Sequence, residues 1–401
     1  MKILHIASRF PVLTQTFVES DIQGITKSKD KHVFTLLDEK KSIQNPKNFK
    51  IRRANIKKLY LKENLYFLIY YPSLYLRLFL EYFVTSLKFK DIRKTLKTIA
   101  MWKNYIAVAY CIKEDEYDHI HSHWAHFPGY GAYVISTLLN GIPFSVSGHA
   151  YDLYKYQPLL AKIICECKFF LTTTKANIDF LNSITDHAYS RKIKLYSHGV
   201  DCSFYTEIPR EPQKKNKLEI ITIGRMTEKK GFSYLLESLG KLKKEKIDFS
   251  LNFVAGEGPE KNLLKEICTH LNIKDEIHWI GSQNKDQIRT LLLSNPIFVL
   301  PCIVAKNGDR DGIPNVVLEA MASGCCCITT NTNGLKEVIK HEITGLIVPE
   351  KDSIAIFASL KNLFHNQKLI DEIGKNASAF VFQNFDRKVW HKKLSEEFYV
   401  D

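Results

Sequence analysis

Two segments of the sequence carry residue types suited to binding a phosphate-bearing ligand. The first spans 221–231, where an apolar strand meets a Gly224-Arg225 turn and Lys230 precedes a predicted helix. In a doubly wound sheet, ligands bind beyond the carboxyl ends of the strands, where a helix N-terminus favours an anion. Arg225 and Lys230 would strengthen that field, although two such cations are equally typical of a solvated loop.

The second segment, residues 307–324, places an acidic loop before a short apolar helix. We predict Pro314 as the first helical residue and Gly324 as the helix stop. Glu319 lies among apolar neighbours in sequence, where a carboxylate is unfavourable unless it has hydrogen-bonding partners. A pair of sugar hydroxyls would supply two such bonds, and a backbone amide or an arginine would also satisfy it.

The cysteines predict neither disulfides nor a metal site. Their number, nine, is odd, and three of them are adjacent, at Cys325, Cys326 and Cys327. Adjacent cysteines bridge poorly and suit the small apolar positions of a buried strand in a reducing compartment.

Five histidines cluster within residues 119–149. They are His119, His121, His123, His126 and His149. A zinc site is one interpretation, but three of them alternate along a single strand and no His-Glu-x-x-His motif accompanies them. No metal is therefore predicted, and structural roles are favoured for His119 and His126. His149 directly follows a strand, so it is expected at the carboxyl edge of the sheet.

Short apolar runs alternate with longer helical patterns along the whole chain, which indicates an α/β fold with parallel sheets. The predicted strands are Ile3–Ala7, Val33–Leu37, His119–His121, Phe144–Ser147, Phe169–Thr173, Lys194–Ser197, Leu218–Ile223, Leu251–Ala255, Ile277–Ile280, Ile297–Leu300, Cys326–Thr329 and Gly345–Val348. Residues 206–217 are polar and proline-containing, which is typical of a linker. We predict two doubly wound Rossmann-like domains, 1–205 and 218–380, with a helix near 380–401 that packs back on the first.

The net charge of +14 comes almost entirely from residues 1–200, and so basic a chain usually meets an anionic partner. Residues 51–112 combine basic with aromatic side chains, which is typical of a helix on an anionic membrane surface. Core aromatics of helices with a solvated basic face would give the same pattern. A nucleic-acid partner is not predicted, because no nucleic-acid-binding motif accompanies the charge.

The longest apolar stretch, 65–87, is interrupted by a proline and two charged residues, so no membrane-spanning helix is predicted. The short apolar run at the start is too brief for a signal peptide. The expected location is the cytoplasm, with the inner face of the plasma membrane as the alternative for a peripheral protein.

The second predicted domain carries several short motifs in a fixed order. They are Gly-Arg-x4-Lys-Gly at 224–231, Gly-Glu-Gly-Pro at 256–259, Asp311-x7-Glu319, Asn333-Gly334 with Glu337, and Thr-Gly-Leu-Ile-Val-Pro at 344–349. Together these motifs resemble the retaining glycosyltransferases of family four, which share the GT-B fold of two Rossmann-like domains facing a cleft. The Phe10-Pro11 loop and the segments 118–125 and 141–152 are similar to the subgroup that builds bacterial exopolysaccharide and lipopolysaccharide.

The resemblance implies roles for individual residues. Arg225 and Lys230 would hold the diphosphate of a nucleotide-sugar donor, Glu319 the ribose, and Asp311 the donor sugar, where the family more often has glutamate. The implied donor-binding set is Arg225, Lys230, Gly256, Asp311, Gly312, Ile313, Pro314, Asn315, Val316 and Glu319. The implied catalytic set is His149, Asp311, Arg225 and Lys230, with His149 touching the donor sugar or phosphate.

The resemblance further implies transfer of a sugar to a lipid-linked or cell-surface glycan, without a metal or other cofactor. Two alternatives stay open. A nucleotide-sugar epimerase or hydrolase of the same shape would act without a glycan acceptor, and a relative that has lost turnover would only bind the nucleotide sugar. Asp311, in place of glutamate, motivates the second alternative.

Overall fold

The computed structural model describes residues 1–12, 16–37, 46–55, 57–205, 216–332 and 334–399. It divides into two compact units. The first contains Met1–His198 together with His391–Asp401, and the second contains Gly199–Trp390. Residues 206–215 of the predicted linker lie outside the described residues.

Within the described residues, the first unit is built on a parallel sheet of seven strands. The strands are β1 Ile3–Ala7, β2 Lys31–Thr35, β3 Phe49–Arg53, β4 His119–Ser122, β5 Phe144–Gly148, β6 Phe169–Thr172 and β7 Ile193–Leu195. Their order is β3-β2-β1-β4-β5-β6-β7. All residues of β1, β4, β5 and β6 are buried, as expected for a parallel sheet covered on both faces.

The strand β3 was not predicted from the sequence. Its residues Phe-Lys-Ile-Arg-Arg are exposed or half-buried, because β3 lies at the edge of the sheet. An edge strand needs no continuous apolar run, so the pattern that reveals the inner strands is missing here.

Nine helices of the first unit cover its sheet in the described residues. They are α1 Thr16–Ile25, α2 Leu61–Tyr70, α3 Pro72–Leu87, α4 Ile92–Ala100, α5 Trp102–Ile112, α6 Phe127–Leu138, α7 Ala150–Lys155, α8 Gln157–Glu166 and α9 Lys175–Ser183. The helix α6 is buried on nearly every side and forms the centre of the core with α5. Asp91 begins α4 by accepting hydrogen bonds from the backbone N–H groups of Arg93 and Lys94.

The second unit has a six-stranded parallel sheet in the described residues, in the order β10-β9-β8-β11-β12-β13. The strands are β8 Leu218–Ile223, β9 Phe249–Val254, β10 Ile277–Trp279, β11 Ile297–Leu300, β12 Cys326–Thr330 and β13 Leu346–Val348. The helices are α10 Phe232–Lys244, α11 Lys261–His270, α12 Lys285–Ser294, α13 Asn315–Ala322, α14 Leu335–Val338, α15 Ser353–His365, α16 Gln367–Asn384 and α17 Arg387–Tyr399. The prediction of two parallel α/β sheets is confirmed, and the adjacent cysteines are buried at the start of β12.

The strand order of the second unit reverses between β8 and β11, which are neighbours but follow each other only after two intervening strands. In open α/β sheets the loops beyond such a pair leave a crevice in which ligands bind. The loop after β8 contains Arg225 and Lys230, and the loop after β11 contains Asp311.

The final helix, α17, joins the two units in the chain, because its residues from His391 onward belong to the first unit. There the Phe398 ring packs edge-on against the rings of His119 and Phe169, with centroids 5.1 and 5.0 Å away. His391 lies over Gly24, where a Cβ atom would come within 2.6 Å of its ring. No helix among the described residues combines the length and apolar character needed to cross a membrane.

Candidate functional site

The turn between β8 and α10 is held close to the end of β11. Gly231 has φ 64° and starts α10, and a Cβ atom there would lie 2.0 Å from the Pro301 carbonyl oxygen. The Ile303 N–H donates to the Lys229 carbonyl at 2.9 Å. Only glycine combines this backbone conformation with such a close approach, so the turn has one geometry in which to present its cations.

Asp311 joins this turn through two lysines. Its Oδ2 lies 2.7 Å from Lys230 Nζ and its Oδ1 3.0 Å from Lys229 Nζ. Burial favours the neutral Asp311 carboxyl, but the two ammonium groups outweigh it and hold its pKa well below the usual range. Burial likewise opposes the charge of Lys230, yet Asp311 raises the lysine pKa. Asp311 and Lys230 are therefore both ionised at neutral pH.

Lys229 was not predicted as a site residue, although it is the more deeply buried of the two lysines. It also lies 3.3 Å from Asp309 Oδ1. A run of two lysines gives no sign of which one points inward, so the sequence alone does not identify it. Arg225, by contrast, is exposed and forms no salt bridge in the part of the chain that the structure describes.

The glycine loop after β9 packs on the same turn. A Cβ atom at Gly258 would lie 2.2 Å from the Met226 carbonyl oxygen, and the Glu260 N–H donates to that oxygen at 3.1 Å. Gly256 faces Ser282, whose hydroxyl would lie 2.8 Å from a Cβ atom added there. The loop of Gly256 is thus placed beside the segment of Arg225 and Lys230.

The helix α13 follows the acidic loop, one residue later than predicted. Pro314 is the N-cap, with φ −62° and ψ 125°, and the helix begins at Asn315. The extended ψ of Pro314 excludes it from the helical turn, which corrects the prediction that it is the first helical residue. Gly324, at φ 73°, follows the helix as expected. The first-turn amides of Asn315 and Val316 have no intrahelical acceptor, so they are available to an anion.

Glu319 lies half-buried on α13, and its carboxylate accepts no hydrogen bond from the described residues. Burial raises its pKa, and the charges of Lys285 and Arg387 oppose this less strongly. The buried hydroxyl of Tyr205 also has no hydrogen-bond partner in the described residues, and burial followed by the charge of Glu319 raises the Tyr205 pKa. The expected partners of Glu319, a protein amide or an arginine, are therefore not found in this part of the chain.

His149 belongs to the first unit, at the end of β5, as predicted. It is the N-cap of α7, and its backbone N–H donates to Asp152 Oδ1 at 2.7 Å. Its Nε2 lies 2.9 Å from His198 Nε2, and His198 Nδ1 lies 2.9 Å from Asp21 Oδ2. Tyr196 donates to the other oxygen of Asp21 at 2.7 Å.

The Asp21–His198–His149 array fixes the orientation of His149, and its other members were not predicted. Burial, followed by the proximity of His198, lowers the pKa of His149 well below its ordinary value, so its ring is neutral at pH 7. Burial favours a neutral Asp21, but His198 more than compensates and lowers the Asp21 pKa. The members of the array are distant in sequence, and only the sheet order brings them together.

The other histidines of the cluster are held by serines and by one another. His119 and His121 both contact Ser145 Oγ, at 2.7 and 2.8 Å, and His5 Nδ1 lies 3.1 Å from His123 Nε2. The structural role predicted for His119 is thus confirmed. In the described ranges no group of three or more His, Cys, Asp or Glu side chains has the arrangement of a metal site.

The second unit is similar to a known family. Residues 204–380 match the family model described as glycosyl transferases group 1. The amylovoran biosynthesis glycosyltransferase AmsK of Erwinia amylovora is 29% identical over 200 residues, which are 48% of this chain and 49% of that protein. The chain spans about half the length of the first curated relatives that it matches.

Two comparisons extend further along the chain. A protein of Escherichia coli named UDP-Gal:alpha-D-GlcNAc-diphosphoundecaprenol alpha-1,3-galactosyltransferase is 23% identical over 315 residues, 73% of this chain and 78% of that protein. The structure of Anabaena HepE in complex with UDP and glucose has a TM-score of 0.74 at 14% identity and covers 100% of both chains. This likeness confirms the GT-B fold.

Proposed function

Because residues 204–380 match the glycosyl transferases group 1 family model, we propose that this chain is a glycosyltransferase of exopolysaccharide or lipopolysaccharide biosynthesis. It moves a sugar from a nucleotide-sugar donor to a hydroxyl of a lipid-linked or cell-surface glycan, with retention at the anomeric carbon. The observation that carries the proposal is the convergence of Arg225, Lys230 and the start of α13 on one crevice of the matched unit.

The donor diphosphate is assigned to this crevice. Arg225 offers an exposed guanidinium, and Lys230 and Lys229 are held by Asp311 at the end of β11. The first-turn amides of α13 supply neutral donors for the same phosphates. HepE, of the same fold, was crystallised with UDP and glucose, which supports a nucleoside diphosphate sugar as the donor class.

The ribose is assigned to Glu319. The half-buried Glu319 carboxylate accepts no hydrogen bond from the described residues. It would gain two hydrogen bonds by accepting from a pair of vicinal ribose hydroxyls. This need for partners explains why an acidic side chain occupies a helix whose other inward residues are apolar.

The chemical step requires stabilisation of the departing nucleoside diphosphate. The bond between the anomeric carbon and the phosphate oxygen breaks, and the acceptor hydroxyl oxygen forms the new bond on the same face. Its proton passes to the departing phosphate oxygen. Arg225, Lys230 and the α13 amides are preorganised against the charge that develops there, which is usually the largest catalytic contribution. They supply what a metal or cofactor would otherwise provide.

His149 is assigned to the donor sugar or phosphate rather than to proton abstraction. Its lowered pKa keeps it neutral, and the hydrogen bond to His198 fixes its ring. A fixed neutral imidazole positions a hydroxyl or phosphate oxygen. The Escherichia coli relative is named for a diphosphoundecaprenol acceptor, which supports a lipid-linked acceptor. The proposed place of transfer is the cytoplasmic membrane face.

The proposal is tested with purified protein, a panel of radiolabelled nucleotide sugars and bacterial membrane lipid extract. Labelled lipid or glycan supports transfer, whereas released free sugar indicates a hydrolase. Stabilisation by a nucleotide sugar without any product indicates a binding relative. Arg225→Ala and Glu319→Ala are expected to abolish transfer, and the exposed Arg191→Ala and Glu372→Ala serve as matched controls. Full activity of the first pair would overturn the site assignment.

A further inference from the structure

Most of the exposed large apolar side chains in the described residues lie on three consecutive helices, α2, α3 and α4. We call the following residues the apolar face: Leu61, Leu65, Leu68, Ile69, Leu76, Leu80, Val84, Leu87, Ile92 and Leu96. The helix α2 packs against α3, and α3 against α4. The apolar face is therefore a contiguous feature of the first unit rather than a scatter of single leucines.

The spacing on α3 makes the feature regular. Leu76, Leu80, Val84 and Leu87 recur every three or four residues, so they form one stripe, with side-chain exposures of 48, 58, 55 and 55%. Tyr82, on the opposite side, is 1% exposed and packs in the core. The helix thus has two apolar sides, of which the outer one is not used by the fold.

The aromatic residues of this region divide differently from the leucines. Phe67 and Tyr82 are buried, and Tyr66, Tyr75 and Phe79 pack against the core. For most aromatics, the interpretation as core residues is therefore correct. The side chains left in solvent are mainly aliphatic, which the count of tyrosine and phenylalanine in the sequence does not reveal.

Cations border the apolar face. Lys62, Arg77, Lys88, Lys90 and Arg93 are exposed, and none takes part in a salt bridge within the ranges that the structure describes. They lie on the same helices as the leucines or in the turn between α3 and α4. No salt bridge with a described residue therefore neutralises their charge.

The acidic side chains of the same segment already have partners within the protein. Glu63 is paired with Lys58 at 3.0 Å, and Asp91 caps α4. Glu81 accepts from the Tyr130 hydroxyl at 3.0 Å and pairs with Lys162 at 3.2 Å. The surface consequently presents apolar groups and positive charge together.

We propose that the apolar face and its bordering cations form a docking surface for an anionic lipid leaflet. Leucine side chains enter the acyl boundary while lysine and arginine bind lipid phosphates, the arrangement of interfacial amphipathic helices. A second copy of this chain fits poorly, since a symmetric contact would bring like charges together. The inference rests on the proposed function, because a lipid-linked acceptor gives the surface its purpose.

The direct test is flotation of the purified chain with vesicles of phosphatidylcholine, with and without phosphatidylglycerol, at low and high salt. Binding is expected only with phosphatidylglycerol, and it is expected to weaken with salt. Equal binding to both vesicles, or no binding to either, would overturn the proposal.

Two variants separate the contributions. Leu76→Ser/Leu80→Ser/Val84→Ser is expected to lose flotation, and Arg77→Gln/Lys88→Gln/Lys90→Gln is expected to lower the partition coefficient on the order of 100-fold. The matched control Lys244→Gln/Lys265→Gln/Lys351→Gln removes the same charge from exposed positions of the second unit. A loss of similar size in that control would show that net charge, not this surface, binds lipid.

Oligomeric state and nucleotide-sugar binding also distinguish the lipid proposal from its alternatives. If light scattering shows a dimer that the leucine variant dissociates, the occupant is a second copy and the lipid proposal fails. All substituted residues are exposed, and unchanged thermal unfolding confirms folding. Flotation needs neither a nucleotide-sugar donor nor a glycan acceptor. A failure to detect sugar transfer would therefore leave the flotation result unchanged. Conversely, if the unsubstituted chain binds a nucleotide sugar but does not float with anionic vesicles, only the membrane surface is overturned.

Discussion

Asp311 shows how one carboxylate organises a positively charged turn. In the structure it contacts both Lys229 and Lys230. A shorter acid in this place therefore does not leave the lysines unpaired. The first effect of Asp311 is to hold two buried ammonium groups in position.

Asp311→Asn is expected to destabilise the second unit by about 3–5 kcal/mol, because it leaves two buried cations without their counter-charge. The lowered pKa means that this stabilisation is complete above the ordinary aspartate range and is lost as the pH falls below it. Urea unfolding of the variant at neutral pH measures the loss. Asp311→Glu keeps the charge and should recover part of it, and an unchanged unfolding midpoint in Asp311→Asn would contradict the pairing.

Asp21 and His198 are expected to act through His149. Asp21→Asn removes the carboxylate that fixes the His198 tautomer, so His149 loses its defined orientation. We expect kcat to fall about 10- to 100-fold with a changed pH–rate profile, while the protein stays folded. Steady-state kinetics of transfer measure this, with the exposed Asp179→Asn as control. Equal kinetics in both variants would refute a positioning role.

At the scale of elements, the turn from β8 to α10 offers a controlled substitution. Gly231→Ala combines a left-handed backbone with a clash against the Pro301 carbonyl, whereas Gly281→Ala has a similar φ of 78° and nothing within 4 Å. The Gly281 variant should therefore lose about 1 kcal/mol from backbone strain alone. The Gly231 variant should lose clearly more, together with nucleotide affinity. Thermal unfolding and calorimetric titration with UDP test the difference, and identical losses would contradict it.

The elements differ in how well the sequence predicts them, and so do the site residues. Inner strands such as β8 and β11 are predominantly apolar, so their pattern and the crevice between them were predictable. The edge strand β3 lacks that pattern, and the start of α13 depends on the ψ angle of Pro314. Lys229, Asp21 and His198 escape prediction for another reason, since their roles depend on which distant residue each one meets.

At the scale of the whole molecule, buried histidines make the first unit sensitive to acid. Burial lowers the pKa of seven of its histidines, and two of them, His119 and His123, are lowered from 6.5 to about 4. The seven are His5, His32, His119, His121, His123, His126 and His149. Between these values only the unfolded chain takes up the protons, so stability falls as the pH falls.

Each such proton costs about 1.4 kcal/mol of stability per pH unit below 6.5. Asp152 opposes this with one proton, because burial raises its pKa to about 7 and the folded state binds that proton more tightly. The net effect is still destabilising in acid. Hydrogen exchange read by mass spectrometry should show protection lost first in peptides of the first unit in mildly acidic buffer. Simultaneous loss in both units would contradict the assignment.

The path of the chain between the units has a consequence for how the protein can be recombined. The chain leaves the first unit after His198 and returns to it at His391, within α17. In terms of gene structure, the second unit is an insertion inside the first. Recombination can therefore replace the second unit as a single internal cassette, with two junctions, and leave the histidine array and the apolar face untouched. A truncation before His391 would instead remove Phe398 from the core of the first unit. It would therefore damage the first unit, although the deleted residues follow the second unit in the chain.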